Sequence, residues 1–275
     1  MTALPKTETL LTRVDAGVLH LTLNRPERRN ALSTQMIDEL LEVFGAVAGY
    51  ADLRAIVLRG AGGSFCAGAD VKEMPGPRGA SSPDTRSAGD ARAAIARGNR
   101  RFGELLSAVG NTPHPVVAVV EGAVMGGGFG LVCVSDVALA MRDARFGLPE
   151  TGLGVIPAQI APFVVQRIGL TQARRLMLTG ARFDGAEAVR LGLAHELCED
   201  GKALESALAE VLVQIRRCAP RASSATKRLL LSTLGRDLES ALDEAAQVFA
   251  EASVGDEAAE GTLAFVEKRL PRWAQ

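Results

Sequence analysis

Residues 121–130 read EGAVMGGGFG, and this stretch decides how the middle of the chain folds. The apolar run at 115–120 before it predicts a buried strand, and the apolar run at 129–134 predicts a buried helix. Three consecutive glycines are poor helix formers, so they leave the first N–H groups of that helix free and unshielded by side chains. The pattern therefore predicts a strand–turn–helix unit whose turn brings backbone N–H groups close to another group.

A second glycine-rich stretch, GGSFCAGAD, occupies residues 62–70. Two N–H groups from such segments suit a thioester oxygen that carries negative charge. Tight packing of glycines in a crowded fold is the alternative explanation for either stretch. Dinucleotide binding fails, because the motif G-x-G-x-x-G would need a glycine at Leu131 or at Cys133. The chain also lacks the phosphate-binding G-x-x-x-x-G-K-[ST] loop and the G-x-S-x-G elbow of serine hydrolases.

The composition is typical of a globular chain, with 47% hydrophobic and 23% charged residues among 275. A formal net charge of −1 gives no bulk attraction to nucleic acid or to a membrane, so we expect neither as a partner. The four cysteines form no CxxC pair, which predicts reduced core residues and no metal site. Because we find neither an apolar signal core nor an apolar run of about 20 residues, we expect a cytoplasmic protein.

Strands and helices alternate over about the first 150 residues, and the chain becomes mostly helical after Gln159. Helical spacing predicts a helix over 33–47 with Ser33 as its N-cap, and further helices at 91–109 and from 171 onward. The segment 75–90, rich in Pro, Gly, Ser and Arg, predicts a mobile loop. This order predicts an α/β core in residues 1–200 that carries the site, and a helical region in residues 201–275.

Five ordered motifs resemble those of the enoyl-CoA hydratase/isomerase (crotonase) superfamily. They read NRPERRNAL at 24–32, FCAGAD at 65–70, the stretch 121–136, FGLPE at 146–150 with LGVIP at 153–157, and FVEKR at 265–269. The resemblance implies an α/β fold, a crotonase-type spiral of ββα units with a C-terminal helical trimerisation region. It also implies an acyl-CoA substrate and a homotrimer or a dimer of trimers. No separate cofactor is expected, since coenzyme A is part of the substrate.

The resemblance also supplies residue roles. Ala67 and Gly127 match the two backbone N–H donors of an oxyanion hole, which stabilises the enolate of the thioester. Glu150 matches a catalytic acid/base. The matched coenzyme A positions are Arg28, Ala69, Asp70, Phe265 and Lys268. For Arg28 and Lys268 an ordinary solvated surface charge is the alternative.

The chain departs from the two-glutamate hydratases at Gly130, which stands where their first glutamate would be and has no side chain. Water addition across a conjugated double bond needs a base on water and an acid at the α-carbon. Glu150 alone could serve as both in a lyase that hydrates a 2-enoyl-CoA, or another group could orient the water. It could instead move one proton in a Δ3,Δ2-enoyl-CoA isomerase.

The run after Pro157 resembles the branch of hydratases for isohexenylglutaconyl-CoA and methylglutaconyl-CoA. A substrate with its own distal carboxylate needs a cationic or amide partner, and Gln159 is a hypothetical one. Thioester hydrolysis, dehalogenation, decarboxylation and a catalytically silent binding role also remain open, because fold does not fix reaction.

Overall fold

The structure is a computed structural model that describes residues 4–70, 72–73 and 88–275. The expected loop at 75–90 lies almost wholly outside the described residues. The strands are β1 (Leu10–Asp15), β2 (Val18–Leu23), β3 (Ala55–Gly60), β4 (Val116–Val120), β5 (Ala123–Met125), β6 (Val137–Met141), β7 (Arg145–Gly147), β8 (Arg182–Phe183) and β9 (Glu196–Cys198). The helices are α1 (Thr34–Val47), α2 (Ala88–Asn111), α3 (Gly127–Val134), α4 (Ala161–Thr179), α5 (Gly185–Arg190), α6 (Gly201–Arg217), α7 (Pro220–Ser232), α8 (Leu238–Ser253) and α9 (Asp256–Val266).

The main sheet has six strands in the order β1-β2-β3-β4-β6-β9. β1 and β2 form an antiparallel hairpin, and every later neighbour in this sheet is parallel. A second, three-stranded sheet has the order β5-β7-β8 and begins one turn after β4 ends. Because parallel strands need a crossover, successive strands are joined by helices or long connections, which confirms the predicted α/β class.

The two faces of the main sheet are covered by different helices. One face packs with α1 to α4 in a large core that includes Leu40, Leu105, Phe129 and Val164. On the other face, Leu204 and Leu208 of α6 pack against alternate strand residues such as Val57, Val117 and Leu139. Since α6 buries its apolar stripe on the sheet, it belongs to the core, although the sequence placed the helical region from residue 201.

The helices that lie outside the core begin with α7. Neither α7 nor α8 buries a residue within this chain, and α9 buries only Glu260 and Ala264. An ion pair of 2.7 Å between Lys227 and Asp136 fastens α7 to the start of β6. Large apolar side chains on these helices remain exposed; they include Leu230, Leu238, Phe249, Phe265 and Val266.

Most predicted elements match the structure within a few residues. Ser33 caps α1 as expected, because its side chain accepts a hydrogen bond from the N–H of Met36 at 3.2 Å. The largest difference is the first part of α4, residues 161–168, which was not expected to be helical. Gly169, whose backbone is not helical (φ of +74°), separates it from the part that matches the expected helix from 171 onward. In the described parts of the chain, none of the helices is both long and apolar enough to cross a membrane.

Candidate active site

The two glycine-rich stretches lie side by side. The N–H of Cys66 donates to Ala123 O at 2.8 Å, and the N–H of Met125 donates to Cys66 O at 2.9 Å. A Cβ on Gly68 would lie 2.9 Å from Met125 O, and a Cβ on Gly128 would lie 2.5 Å from Cys66 O. Glycine is therefore needed at both positions for tight packing. This need does not exclude a chemical role for the N–H groups of the same turn.

One predicted N–H donor is already engaged. The N–H of Ala67 donates to Arg29 O at 2.9 Å, so it is not free to bind a substrate oxygen. Ala69 forms a parallel bridge with Leu32, in which Leu32 N–H donates to Gly68 O and Asp70 N–H donates to Leu32 O. In such a bridge the N–H of the middle residue points away from its partner. Within the described residues the N–H of Ala69 has no partner, so the available donor is Ala69 and not Ala67.

The second donor comes from the start of α3. Gly127 is its first residue, and the first N–H groups of a helix have no intrahelical acceptor. The preceding N–H, on Gly126, is used by Gly147 O at 3.0 Å. A Cβ on Gly68, the neighbour of Ala69, would lie 3.6 Å from Gly127 N. The N–H groups of Ala69 and Gly127, which have no partner among the described residues, are thus carried by backbones in close approach, which is the arrangement that an oxyanion needs.

Glu150 supplies the carboxylate beside this turn. It begins a short 3-10 helix, Glu150–Leu153, and its Oε1 lies 2.8 Å from the position of a Cβ on Gly126. Its Oε2 is buried and has no hydrogen-bond partner among the described residues. Burial raises the pKa of the Glu150 carboxyl. A half-buried carboxylate with one oxygen unpaired and a raised pKa is suited to exchanging a proton with a bound molecule.

An apolar wall faces the glycines of α3. A Cβ on Gly127 would lie 2.8 Å from Leu32 Cδ1 and 3.2 Å from Phe102 Cζ. A Cβ on Gly130 would lie 2.5 Å from Ile160 Cγ2, so Ile160 fills the space beside that glycine. Position 130 therefore lacks both a carboxylate and the room to hold one.

Gln159 lies next to this wall, over helix α2. Its Nε2 donates to Asn99 Oδ1 at 3.0 Å, and its Oε1 lies 2.0 Å from the position of a Cβ on Gly103. The absence of a side chain at Gly103 is what lets Gln159 pack there. The structure thus places Gln159 beside the wall, against Asn99 and Gly103 of helix α2.

Asp70 has a structural partner. Its carboxylate is buried, accepts from Arg25 Nη2 at 2.9 Å and accepts from the N–H of Lys72 at 3.1 Å. The hydrogen bond from Arg25 lowers the pKa of the Asp70 carboxyl. Because Arg25 also donates to Ala31 O, this pair ties the segment at 24–32 to the glycine-rich stretch at 62–70. The nearby guanidinium of Arg28 is exposed and, in the described ranges, has no ion-pair partner.

Phe265 and Lys268 are not brought to the site of their own chain. Phe265 is 85% exposed, and Lys268 follows it in a left-handed turn with φ of +57°. Their region is held near the amino end of β3, where Arg54 donates to Trp273 O at 2.8 Å. The glycine turns and Glu150 lie beyond the carboxyl ends of β3 and β4.

Several residues of this site were not predicted from the sequence. Leu32, Phe102 and Ile160 form the wall, and Arg25 holds Asp70 in place. Only the helical spacing of apolar residues in α2 signalled that Phe102 would point inward. Among the described residues, no group of three or more His, Cys, Asp or Glu side chains could hold a metal ion.

Comparison with known proteins shows the family. Residues 13–275 match the family model described as Enoyl-CoA hydratase/isomerase. A putative enoyl-CoA hydratase of Thermus thermophilus is 34% identical over 251 residues, which cover 91% of this chain and 95% of the relative. A peroxisomal Delta(3,5)-Delta(2,4)-dienoyl-CoA isomerase of Arabidopsis thaliana is 29% identical over 277 residues, covering 98% of this chain and 96% of the relative.

Solved structures agree. That of Pseudomonas aeruginosa AtuE superposes with a TM-score of 0.91 at 58% identity and covers 98% of this chain and 100% of that chain. The chain belongs to the enoyl-CoA hydratase/isomerase family. It is an enzyme of that family, for which an acyl-CoA thioester is the implied substrate.

Proposed function

We propose that this enzyme hydrates a 2-enoyl-CoA. The observation that carries the proposal is the half-buried carboxylate of Glu150 beside the glycine turn: among the described residues, neither its Oε2 nor the N–H of Gly127 has a hydrogen-bond partner. The thioester oxygen accepts from the N–H groups of Ala69 and Gly127, which stabilises the negative charge that develops on it. Gly130 and Gln159 line the acyl side of the site.

Glu150 performs both proton transfers in this proposal. As a base it takes a proton from water while the water oxygen bonds to the β-carbon, and the thioester becomes an enolate. The protonated Glu150 then gives its proton to the α-carbon, so the carbonyl re-forms and the carboxylate is regenerated. The net reaction adds one water across the double bond, and the raised pKa of Glu150 suits a group that must both take and give a proton.

A Δ3,Δ2-enoyl-CoA isomerase is the second candidate, and a specific contact favours it. A methyl group of Ile160 fills the space beside Gly130, where a second carboxylate would help to hold water. In an isomerase, Glu150 removes a proton from the α-carbon and returns it to the γ-carbon through the same oxyanion-stabilised dienolate. The apolar wall suits that reaction because no water takes part in it.

We further propose a trimer, or a dimer of trimers, in which Phe265 and Lys268 reach the coenzyme A site of a neighbouring subunit. The uncovered apolar side chains of α7 to α9 and the distance of these residues from their own site support this assembly. Arg28 of the same chain, which has no ion-pair partner among the described residues, is the cation for coenzyme A phosphates. A branched glutaconyl group is the proposed acyl class, and no separate cofactor takes part.

The test is product analysis in heavy water with crotonyl-CoA, 3-methylglutaconyl-CoA and a 3-enoyl-CoA. Water added to an enoyl substrate, as measured by mass spectrometry, supports the hydratase. A double bond that moves without addition of water makes the enzyme an isomerase and overturns the leading proposal.

Glu150→Gln separates an enzyme that uses this carboxylate from a silent binding protein. We expect the rate to fall by about 10²-fold or more, since a general acid/base contributes that much. Glu196→Gln is the matched control, because Glu196 is exposed on strand β9, on the far edge of the sheet. Equal activity of both variants would remove Glu150 from the mechanism.

A further inference from the structure

Asn30 is a buried polar residue that the proposed chemistry does not use. Its exposed fraction is 0%. Its Oδ1 accepts from the N–H of Arg25 at 2.9 Å, and its Nδ2 donates to Ala61 O at 2.8 Å and to Ser64 O at 2.7 Å. An asparagine amide has two N–H groups and one oxygen, so every group of this amide is engaged. A buried and fully satisfied amide fixes the backbone groups that it contacts.

Two of these hydrogen bonds close the loop that leads into the glycine-rich stretch. Ala61 and Ser64 lie at the ends of a turn in which Gly62 and Gly63 have left-handed φ values of +70° and +71°. Glycine gives the backbone more conformational freedom than any other residue does. The amide of Asn30 therefore supplies a restraint that the side chains of this loop cannot give.

The backbone around Asn30 is constrained as well. Arg29 and Asn30 have φ values of +48° and +56°, so two consecutive residues other than glycine are left-handed. Asparagine tolerates this conformation better than most residues do. The N–H of Asn30 donates to Arg25 O at 2.9 Å, while its Oδ1 accepts from the N–H of the same residue. Backbone and side chain together hold the turn at 25–30 closed.

This turn is bonded directly to the segment that carries an oxyanion donor. Three backbone hydrogen bonds of 2.9, 2.8 and 3.0 Å join residues 29–32 to residues 67–70. They alternate between the two segments, so the N–H of Ala69 points away from residues 29–32. Since residues 67–70 follow the backbone of residues 29–32, the direction of the Ala69 N–H depends on where the turn at 25–30 is held.

We propose that Asn30 is a positioning residue of the oxyanion hole: its amide holds the turn at 25–30 and the loop at 61–64, and through them it sets the direction of the Ala69 N–H. The inference rests on the proposed function, because it takes the thioester oxygen to lie at Ala69 and Gly127. Loss of the amide should weaken the hydrogen bond to the charge that develops on this oxygen. Binding of coenzyme A itself should change little, because its matched positions are other residues.

Asn30→Gly is the test variant, because glycine adopts the left-handed φ without strain and only the side chain is lost. Raman difference spectra of bound cinnamoyl-CoA, isotopically labelled at the thioester carbonyl, measure how strongly the site polarises that carbonyl. The full-length unaltered protein should shift the C=O stretch to lower frequency, and Asn30→Gly should lose most of this shift. The kcat for crotonyl-CoA should fall by about tenfold or more and KM should change much less, since small displacements of a positioned donor are costly.

Two controls separate positioning from a general loss of stability. Ala16→Gly places glycine at another left-handed residue, with φ of +46°, in the turn between β1 and β2 at the far end of β2 from the turn at 25–30. Asp200→Ala removes the N-cap of α6, which accepts from the N–H of Ala203 at 2.8 Å, and should lower stability on the other face of the sheet. Both variants should keep the carbonyl shift and kcat of the unaltered protein.

Asn30→Ser, which retains a hydroxyl, replaces Asn30→Gly if the glycine variant does not fold. The inference is overturned if the unaltered protein leaves the carbonyl unshifted, if the folded Asn30 variant keeps most of the shift, or if Asp200→Ala loses it equally. Failure of both Asn30 variants to fold makes the residue purely structural and also overturns the inference.

Hydration of crotonyl-CoA by the unaltered protein tests the proposed function separately. A carbonyl shift that depends on Asn30, without hydration, supports the inference and refutes the hydratase. Hydration with a carbonyl shift that does not depend on Asn30 does the reverse.

Discussion

Oε1 of Glu150 lies 2.8 Å from the point that a Cβ on Gly126 would occupy, so the carboxylate rests directly against the turn that begins α3. Gly126 also has a φ of +48°, a left-handed conformation that side chains rarely adopt. Glycine is thus required at position 126 both for the backbone turn and for the place of the carboxylate. Catalysis and local folding depend on the same missing side chain.

Gly126→Ala should lower kcat by about 10²-fold or more, because the added methyl group displaces the carboxylate from its position. The left-handed φ should also cost about 1–2 kcal/mol of unfolding free energy. Gly152→Ala is the control: position 152 lies two residues from Glu150, its φ is not left-handed, and a Cβ there meets nothing within 4 Å. Rates and urea melts of both variants test this, and a fully active Gly126→Ala enzyme would contradict the geometry.

The pH dependence of the rate should report the raised pKa of Glu150. Burial disfavours the ionised carboxylate and raises this pKa, and the base that takes a proton from water must be ionised. The value of kcat/KM should therefore fall as the pH drops through a pKa above the ordinary range of a glutamate. The profile of kcat/KM against pH measures it, and an acid limb at or below the ordinary value would show that burial does not govern this carboxylate.

Glu150→Gln should lose most of its activity yet be at least as stable as the unaltered protein at pH 7. A carboxyl with a raised pKa in the folded state stabilises the fold fully below its unfolded pKa, and this contribution is lost as the pH rises through the folded pKa. At pH 7 the ionised, buried carboxylate therefore lowers the free energy of unfolding, and the neutral glutamine removes this cost. Urea melts of both proteins between about pH 4 and pH 7 should show their stability difference changing in favour of the variant as the pH rises. A variant less stable at every pH would contradict this.

The sequence predicted the elements of the fold well, because hydrophobic periodicity and capping are local signals. Ser33 marked the start of α1, and the apolar run at 115–120 matches β4. The first part of α4 was missed, whereas the part after the non-helical Gly169 matches the helix expected from 171 onward. The short strands β8 and β9 were missed because neighbouring strands, not their own residues, stabilise them.

The site was predicted less completely, for a physical reason. Motif spacing located the two segments and Glu150, but it cannot tell which N–H of a segment is already bonded. Arg29 accepts from Ala67, and this contact between segments nearly 40 residues apart leaves Ala69 as the donor. The absence of a side chain at position 130 is likewise explained only by the structure, in which Ile160, distant in sequence, fills the space beside Gly130.

The last prediction concerns the contact between Gly130 and Ile160. A Cβ on Gly130 would lie 2.5 Å from Ile160 Cγ2, a methyl group that cannot move away without rotation of the whole side chain. Gly130→Ala should therefore destabilise the protein by about 1–3 kcal/mol through overpacking, and Ile160→Ala should relieve that strain. Chemical denaturation of the double-mutant cycle should give a coupling of about 1 kcal/mol or more. Gly45→Ala, in the exposed interior of α1 where a Cβ meets nothing within 4 Å, should instead stabilise by about 0.5–1 kcal/mol. If Gly130→Ala is as benign as Gly45→Ala, or its cost persists without the Ile160 side chain, the wall is not what excludes a side chain from position 130.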